Sequence, residues 1–152
     1  MDKLHPCVPD HFGPLLGYCD HRVQQVMGRL LRQYDVSPMQ CRTLTYLHNQ
    51  TGEVNQRMLE QHLLVKPSTV NGIVDRLEEK GLLRRTAGKS DGRCRILTLT
   101  EQGVRFYDDL TAVVGRVNRQ MEQGFTPAEL ETLRSYLLRV ARNLRTEEET
   151  TE

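Results

Sequence analysis

The most chemically suggestive stretch of the sequence is a short cationic segment, AGKSDGRCRILTLTEQG, at residues 87–103. It places Lys89, Arg93 and Arg95 around an Asp-Gly pair at residues 91–92, which is typical of a sharp turn between two strands. Cations that crowd a hairpin tip repel one another, so they need either full solvation or a negatively charged partner. Two interpretations are open at this point: a solvated hairpin whose charges protect an edge strand from aggregation, or a finger that reaches into a polyanion.

Charge is unevenly distributed along the chain, although the net charge of the 152 residues is only +1. Between Lys66 and Arg95 there are eight Lys or Arg against four Asp or Glu, a net +4 that leaves −3 for the remainder. One basic segment on an otherwise acidic chain indicates a polyanionic partner better than a uniformly basic chain would. The charge pattern therefore favours nucleic acid as the partner of this segment.

Other kinds of functional site have little support in the sequence. There is no Gly-rich phosphate loop and no nucleophile elbow, so an enzyme is not indicated. The four cysteines, at positions 7, 19, 41 and 94, form no C-x-x-C pair, so neither a disulfide framework nor a zinc ribbon is predicted. The possible metal ligands near the N-terminus are His5, Cys7, His11, Cys19 and His21. They do not share one helical face, so we expect no metal and no other cofactor.

No segment of the sequence has the pattern of a membrane anchor or a secretion signal. No apolar run approaches the ~20 residues that are needed to span a bilayer. The beginning of the chain, MDKLHPCVPD, lacks the apolar core of a signal peptide. We therefore expect a cytoplasmic protein with no membrane partner.

Helical periodicity predicts most of the elements that would position the cationic segment. Residues 13–34 are expected to form one long amphipathic helix. A second helix should open with a capping box between Ser37 and Gln40, and Gly52 is expected to terminate it in a left-handed conformation. Asn55 is expected to cap a short third helix and Thr100 a fifth, and a capping box between Thr126 and Glu129 is expected to start a sixth.

The next segment completes the predicted architecture. Residues 67–80 are expected to form a helix with one buried apolar stripe, and residues 83–99 two strands joined at the cationic tip. The third and fourth helices then make a helix-turn-helix, and the hairpin makes a wing. The predicted fold class is mainly α with a small β-hairpin wing. In one domain of residues 1–152, a winged helix-turn-helix at 37–100 is flanked by dimerisation helices at 13–34 and 104–145.

The segment VKPSTVNGIVDRLEEKGLLRR followed by DGRCRILTLTEQG resembles the multiple antibiotic resistance regulator (MarR) family of bacterial winged-helix transcription factors. The similarity covers roughly residues 13–144. The family's wing pattern, D-x-R followed by L-T-x-x-G, matches Asp91, Arg93, Leu99, Thr100 and Gly103. The resemblance implies a homodimer whose terminal helices interlock and whose two recognition helices enter successive major grooves of double-stranded DNA. It also implies a transcriptional regulator, most often a repressor that a small ligand releases from a pseudo-palindromic operator.

The resemblance and the side-chain chemistry together select the expected DNA contacts. Short polar side chains at the start of the fourth helix can meet phosphates or base edges. By resemblance, Arg93 enters the minor groove and Asp91 orients it through an ion pair. The family often has Ser or Thr before the proline, whereas Lys66 cannot accept a capping bond but can contact a phosphate. The expected DNA-contacting residues are Lys66, Pro67, Ser68, Thr69, Asn71, Gly72, Arg76, Lys89, Asp91, Arg93 and Arg95.

The resemblance further implies an effector, often a phenolic or aromatic acid, in a cleft between the dimerisation helices and the helix-turn-helix. Helix positions predict its lining as His21, Met27, Met39, Arg42 and Tyr46. Three alternatives stay open: a constitutive DNA binder without a ligand, a thiol-redox-responsive regulator of the same fold, and a winged-helix protein-interaction module. Cys19 lies on an apolar stripe and is expected to be a small buried hydrophobe, whereas Cys94 lies exposed near arginines.

Overall fold

The structure is a computed structural model that describes residues 11–88 and 95–145. The chain divides into two compact units, Met1–Val117 and Asn118–Glu152. The first unit holds the helix-turn-helix and the sheet, and the second holds the end of a long helix and the helix that follows it. No helix among the described residues is long and apolar enough to cross a membrane.

The first helix, α1, spans Phe12–Leu31 and continues into a single 3₁₀ turn, Arg32–Tyr34. The expected helix at 13–34 is therefore present, but its last turn is tighter than an α-helix. Asp35 ends the turn in a left-handed conformation with φ 53°, and its N–H donates to the Arg32 carbonyl at 3.2 Å. The chain is thereby redirected toward the next helix.

The second helix, α2, spans Pro38–Asn49 and begins with the predicted capping box. The Gln40 N–H donates to Ser37 Oγ at 3.2 Å, and the Ser37 N–H donates to Gln40 Oε1 at 2.8 Å. The predicted end is wrong, because Gly52 does not adopt a positive φ and Gln50 already leaves the helix in an extended conformation. The chain instead bends at residues 51–52 without a left-handed residue and enters a strand at Val54.

The helix-turn-helix consists of α3, Gln56–Leu63, and α4, Pro67–Glu79. The N–H of Met58 donates to Asn55 Oδ1 at 2.9 Å, which confirms the predicted cap of α3. Leu64 makes the turn in a left-handed conformation, φ 56°. The predicted stripe of α4 is confirmed as buried: Val70, Ile73, Val74 and Leu77.

The sheet has three antiparallel strands in the order β1-β3-β2: β1, Val54–Asn55; β2, Leu83–Ala87; and β3, Arg95–Leu99. The predicted hairpin corresponds to β2 and β3, which pair from Leu83 with Leu99 to Ala87 with Arg95. The sequence did not predict β1, which pairs Val54 with Leu97 on the other edge of β3. Two residues are too few to show the alternation by which a strand is recognised in a sequence.

Two further helices follow: α5, Glu101–Glu122, and α6, Pro127–Asn143. Thr100 caps α5 as predicted, since its Oγ1 accepts from the Gly103 N–H at 2.9 Å while donating to the Gly81 carbonyl at 2.6 Å. The predicted capping box between Thr126 and Glu129 opens α6. Local capping chemistry therefore fixes where both helices begin.

A single hydrophobic core holds the first unit together. Its largest fully buried side chains come from α1, α2, α3, α4, β2 and α5: Leu31, Leu44, Leu59, Leu77, Leu83 and Leu110. Because α3, α4 and the base of the wing share this core, the helix-turn-helix and the start of the wing are packed as one body.

The second unit contrasts with the first because α6 has no buried residue within the single chain. Four large apolar side chains of α6 and one at its C-cap are between 41% and 75% exposed: Leu133, Tyr136, Leu137, Leu138 and Leu144. Monomeric proteins rarely leave so many large apolar side chains of one helix in contact with water.

Candidate nucleic-acid interface

The surface of α4 opposite its buried stripe carries most of the predicted DNA-contacting residues. The structure brings seven of them together on this helix and its first turn, all of them exposed: Lys66, Pro67, Ser68, Thr69, Asn71, Gly72 and Arg76. Lys66 is the N-cap residue, and its side chain makes no capping bond. The result is an exposed helix face of small polar side chains with a cation at each end, which suits contact with phosphates and base edges.

The tip of the wing lies outside the described residues. Arg95 is the first residue of β3, exposed and paired with Ala87. Lys89, Asp91, Arg93 and Cys94 lie within the segment 89–94 that the structure does not describe. Their predicted positions beside a minor groove therefore stay predictions.

An ion-pair cluster that the sequence analysis missed joins α4 to the wing. The Arg85 N–H donates to Glu78 Oε1 at 3.0 Å, and its guanidinium donates to Glu78 Oε2 and, at 2.5 Å, to Asp75 Oδ1. The pKa of Glu78 is held below its usual value chiefly by the hydrogen bond from the Arg85 backbone N–H, and also by the bond from the guanidinium. One arginine thus compensates two acids of the helix that carries the predicted DNA contacts. The sequence pattern that could have predicted this cluster is a pair of acids three residues apart, followed by an arginine just after a turn.

A second ion pair ties the end of α4 to the segment between α1 and α2. Lys80 Nζ donates to Asp35 Oδ2 at 2.7 Å and also to the Asp35 backbone carbonyl. The hydrogen bond from Lys80, together with its charge, lowers the pKa of the Asp35 carboxyl. The left-handed residue after α1 is therefore anchored to the helix that would face DNA.

The predicted effector-lining residues are only partly brought together. Arg42 Nη2 donates to the His62 carbonyl at 3.1 Å, and the Tyr46 ring stacks on the His62 ring with centroids 4.1 Å apart. His62 was not predicted, and burial followed by the charge of Arg42 lowers its pKa. Met27 and Met39 pack against the core, while His21 is exposed and lies 3.0 Å from the Gln25 amide.

The cysteines differ from expectation. Cys19 is exposed in the single chain, so its predicted role as a buried hydrophobe is wrong for the chain on its own, because the N-terminal end of the α1 stripe, where it lies, is exposed. Cys41 is buried instead, and burial raises the pKa of its thiol, which leaves it unreactive. Within residues 11–88 and 95–145, no group of three or more His, Cys, Asp or Glu side chains could hold a metal ion.

Comparison with known proteins places the chain in a family. The sequence model of the MarR family matches residues 34–93, which include α2, α3, α4 and the start of the wing. The HTH-type transcriptional repressor IacR of Pseudomonas putida is 31% identical over 125 residues, which cover 82% of this chain and 74% of IacR. The chain belongs to the MarR family. The predicted family is thus confirmed, and with it a DNA-binding transcriptional regulator rather than an enzyme.

Solved structures share the winged-helix architecture of this MarR-family chain. CouR from Rhodococcus jostii RHA1, bound to p-coumaroyl-CoA, is 29% identical with a TM-score of 0.80, over 91% of this chain and 96% of CouR. MepR of S. aureus in its complex with DNA is 23% identical with a TM-score of 0.81, over 90% of this chain and 100% of MepR. At that identity the likeness to MepR shows the fold alone. The predicted fold class, mainly α with a small β wing, is confirmed.

Proposed function

We propose that this MarR-family regulator is a homodimeric repressor that binds a pseudo-palindromic operator and is released from it by a small ligand. The observation that carries the proposal is the exposed polar face of α4, hereafter the recognition helix. It is bonded to the base of a wing whose sequence is rich in cations. The repressor function of IacR supports repression rather than activation for this chain.

The proposed DNA contacts divide by chemistry. Ser68, Thr69 and Asn71 meet base edges or phosphates in the major groove, where Gly72 allows close approach. Lys66 and Arg76 contact phosphates at the two ends of the exposed face. In the wing, Arg93 enters the minor groove with Asp91 beside it, and Lys89 and Arg95 flank it at the phosphates.

Dimerisation is proposed through the predicted terminal helices, at 13–34 and 104–145. The uncovered apolar side chains of α6 support this, because a second copy of the chain would remove them from water. A two-fold dimer can hold two recognition helices about 34–36 Å apart, which is the spacing of successive major grooves. A ligand that changes this spacing weakens binding at both half-sites.

The proposed effector is an aromatic or phenolic acid that binds among His21, Met27, Met39, Arg42 and Tyr46. Arg42 supplies a cation for a carboxylate, and the stacked rings of Tyr46 and His62 supply an aromatic surface. The p-coumaroyl-CoA bound to CouR, which contains a phenolic acyl group, supports this choice of chemistry.

The test begins with selection of bound duplexes from a random DNA pool, followed by fluorescence anisotropy on the selected operator. Arg93→Ala should weaken binding roughly 5- to 150-fold, because an arginine that contacts bases is worth roughly 1–3 kcal/mol, while the dimer stays intact. Arg22→Ala, an exposed arginine of α1, is the control and should bind as the wild type does. A protein-interaction module would select no sequence and would bind equally with and without Arg93.

A further inference from the structure

A groove of about 470 Å³ opens beside the recognition helix, within the first unit. It lies between the 3₁₀ turn after α1, the start of α2 and the second half of the recognition helix. Its polar lining consists of Arg32, Asp35, Ser37, Gln40, Arg76 and Lys80. None of the residues outside the recognition helix belongs to the contacts predicted from the sequence.

The groove is strongly cationic where it is open. Lys80 and Asp35 compensate each other through their ion pair. The guanidinium groups of Arg32 and Arg76 are exposed and have no ion pair or hydrogen bond within the described part of the chain. Two unpaired arginines that share one groove are suited to an oxyanion, since the guanidinium fork matches the geometry of phosphate oxygens.

The position of the groove relative to the wing indicates which oxyanion it meets. Helical residues advance by about 100° each, so Glu78 and Lys80 point about 200° apart around the recognition helix. Glu78 is bonded to Arg85 of β2, and Lys80 lines the groove. The base of the wing and the groove therefore flank opposite sides of the exposed face that carries Ser68 and Gly72.

A duplex that receives this helix presents phosphates on both of those sides. The major groove is about 12 Å wide and a helix with its side chains about 10–12 Å across, so the two sugar–phosphate backbones run along the two flanks of the helix. One backbone runs past the side of the wing base. The other runs past Arg32 and Arg76.

We propose that this groove is a phosphate site for the DNA backbone on the side of the recognition helix away from the wing, with Arg32 and Arg76 as its ligands. The site rests on the proposed function, because it requires the recognition helix to enter a major groove. The Lys80–Asp35 pair removes the repulsion that a free Asp35 carboxylate would exert on the phosphate. The start of α2 contributes little, since the Gln40 N–H is already taken by Ser37 Oγ.

A free small anion shares the chemistry of a backbone phosphate, but the groove suits it less well. Pockets for small molecules are concave and lined mostly by apolar side chains, with few polar groups. This groove is open and is lined mostly by polar residues. The observations therefore favour a phosphate of the DNA backbone over a free small anion.

The test measures the affinity of the purified protein for its selected operator between about 50 and 200 mM salt. Arg32→Gln should weaken binding about tenfold at low salt. It should also reduce the slope of log K against log salt concentration by about 0.9 for each phosphate that the variant no longer neutralises. The control is Arg22→Gln, an exposed arginine of α1 ten residues earlier, which should leave affinity and slope unchanged; light scattering checks that this variant keeps the mass of the wild type. Equal melting temperatures for the three proteins exclude a folding defect.

The outcomes separate the two proposals. If the wild type binds no duplex, the proposed function fails. If the wild type binds and Arg32→Gln retains both its affinity and its salt slope, the function stands and the phosphate site is wrong. In a second arm, inorganic phosphate is titrated into DNA-free protein at constant ionic strength. A saturable response that Arg32→Gln abolishes, combined with an unchanged salt slope for DNA, would assign the groove to a free anion and overturn the proposal.

Discussion

At the scale of single residues, Arg85 links the chemistry of the recognition helix to that of the wing. Its side chain is 20% exposed, and its guanidinium bonds to Asp75 and Glu78, which lie on the side of the helix that faces β2. Without Arg85, two carboxylates on a helix proposed to approach phosphates would be uncompensated. Arg85 therefore compensates the negative charge of two acids beside the proposed contact surface.

Arg85→Ala should weaken operator binding about tenfold, because the two exposed carboxylates then repel the phosphates. Replacing these acids in the same background, as Asp75→Asn with Glu78→Gln, should recover much of the affinity. Anisotropy at low salt measures both effects. If the triple variant binds no better than Arg85→Ala alone, the role of Arg85 is to hold the wing in place rather than to compensate charge.

Glu78 should also make stability depend on pH in the acid range. Its pKa in the folded protein is lower than the ordinary 4.5, so the native state favours the ionised form. The stabilisation by Arg85 is therefore fully present above pH 4.5 and is lost as the pH falls through the folded pKa. Urea unfolding of wild type and Glu78→Gln should differ most at neutral pH and converge in acid. A difference that is constant with pH would contradict this.

At the scale of elements, local chemistry determines where helices begin, whereas pairing with distant parts of the chain determines the short strand β1 and the end of α2. Ser37, Asn55, Thr100 and Thr126 were all predicted as caps, because a cap needs only the side chain and the next turn. The strand β1 and the true end of α2 were not predicted, because both depend on the free edge of β3, which is supplied from far along the chain. The Lys80–Asp35 ion pair was missed for the same reason, since its partners are 45 residues apart. The pairs of Arg85 lie only 7 and 10 residues apart, but they depend on how the chain turns from α4 into β2. The exposed face of the recognition helix followed from its buried stripe.

The contact between α5 and the segment before β2 depends on the absence of a side chain at Gly103. A Cβ there would lie 1.9 Å from the Leu82 carbonyl oxygen, a backbone atom that cannot rotate away. Gly103→Ala should therefore destabilise the fold by about 1–3 kcal/mol through overpacking, even though Ala favours helix by about 1 kcal/mol. Urea denaturation followed by circular dichroism measures the change.

Gly72 provides the matched control for Gly103 because a Cβ at Gly72 has no atom within 4 Å. Gly72→Ala should leave stability unchanged or raise it by up to about 1 kcal/mol. It should weaken operator binding, since the added methyl group lies on the face proposed to approach DNA. If both substitutions raised stability, the close approach of α5 to Leu82 would be contradicted.

At the scale of the whole molecule, the second unit is incomplete as a single chain. The apolar side chains of α6 and its C-cap recur at three- and four-residue spacing, which gathers Leu133, Leu137 and the C-cap residue Leu144 on one face, and each is at least 41% exposed. The first unit has its own core and needs no such cover. The proposed second copy of the chain would both cover this face and supply the second recognition helix.

Leu137→Asp should therefore convert the protein to a monomer, because a dimer would bury the carboxylate in an apolar interface without a partner. Ser135→Asp, on the opposite side of α6, adds the same charge and should leave the dimer intact. Light scattering after size exclusion gives the mass of each variant, and anisotropy gives its operator affinity. The monomer should bind at least about a hundredfold more weakly, because each half-site is then held without the other. If Leu137→Asp kept both the dimer mass and the affinity, the apolar face of α6 would have a purpose other than pairing two copies on DNA.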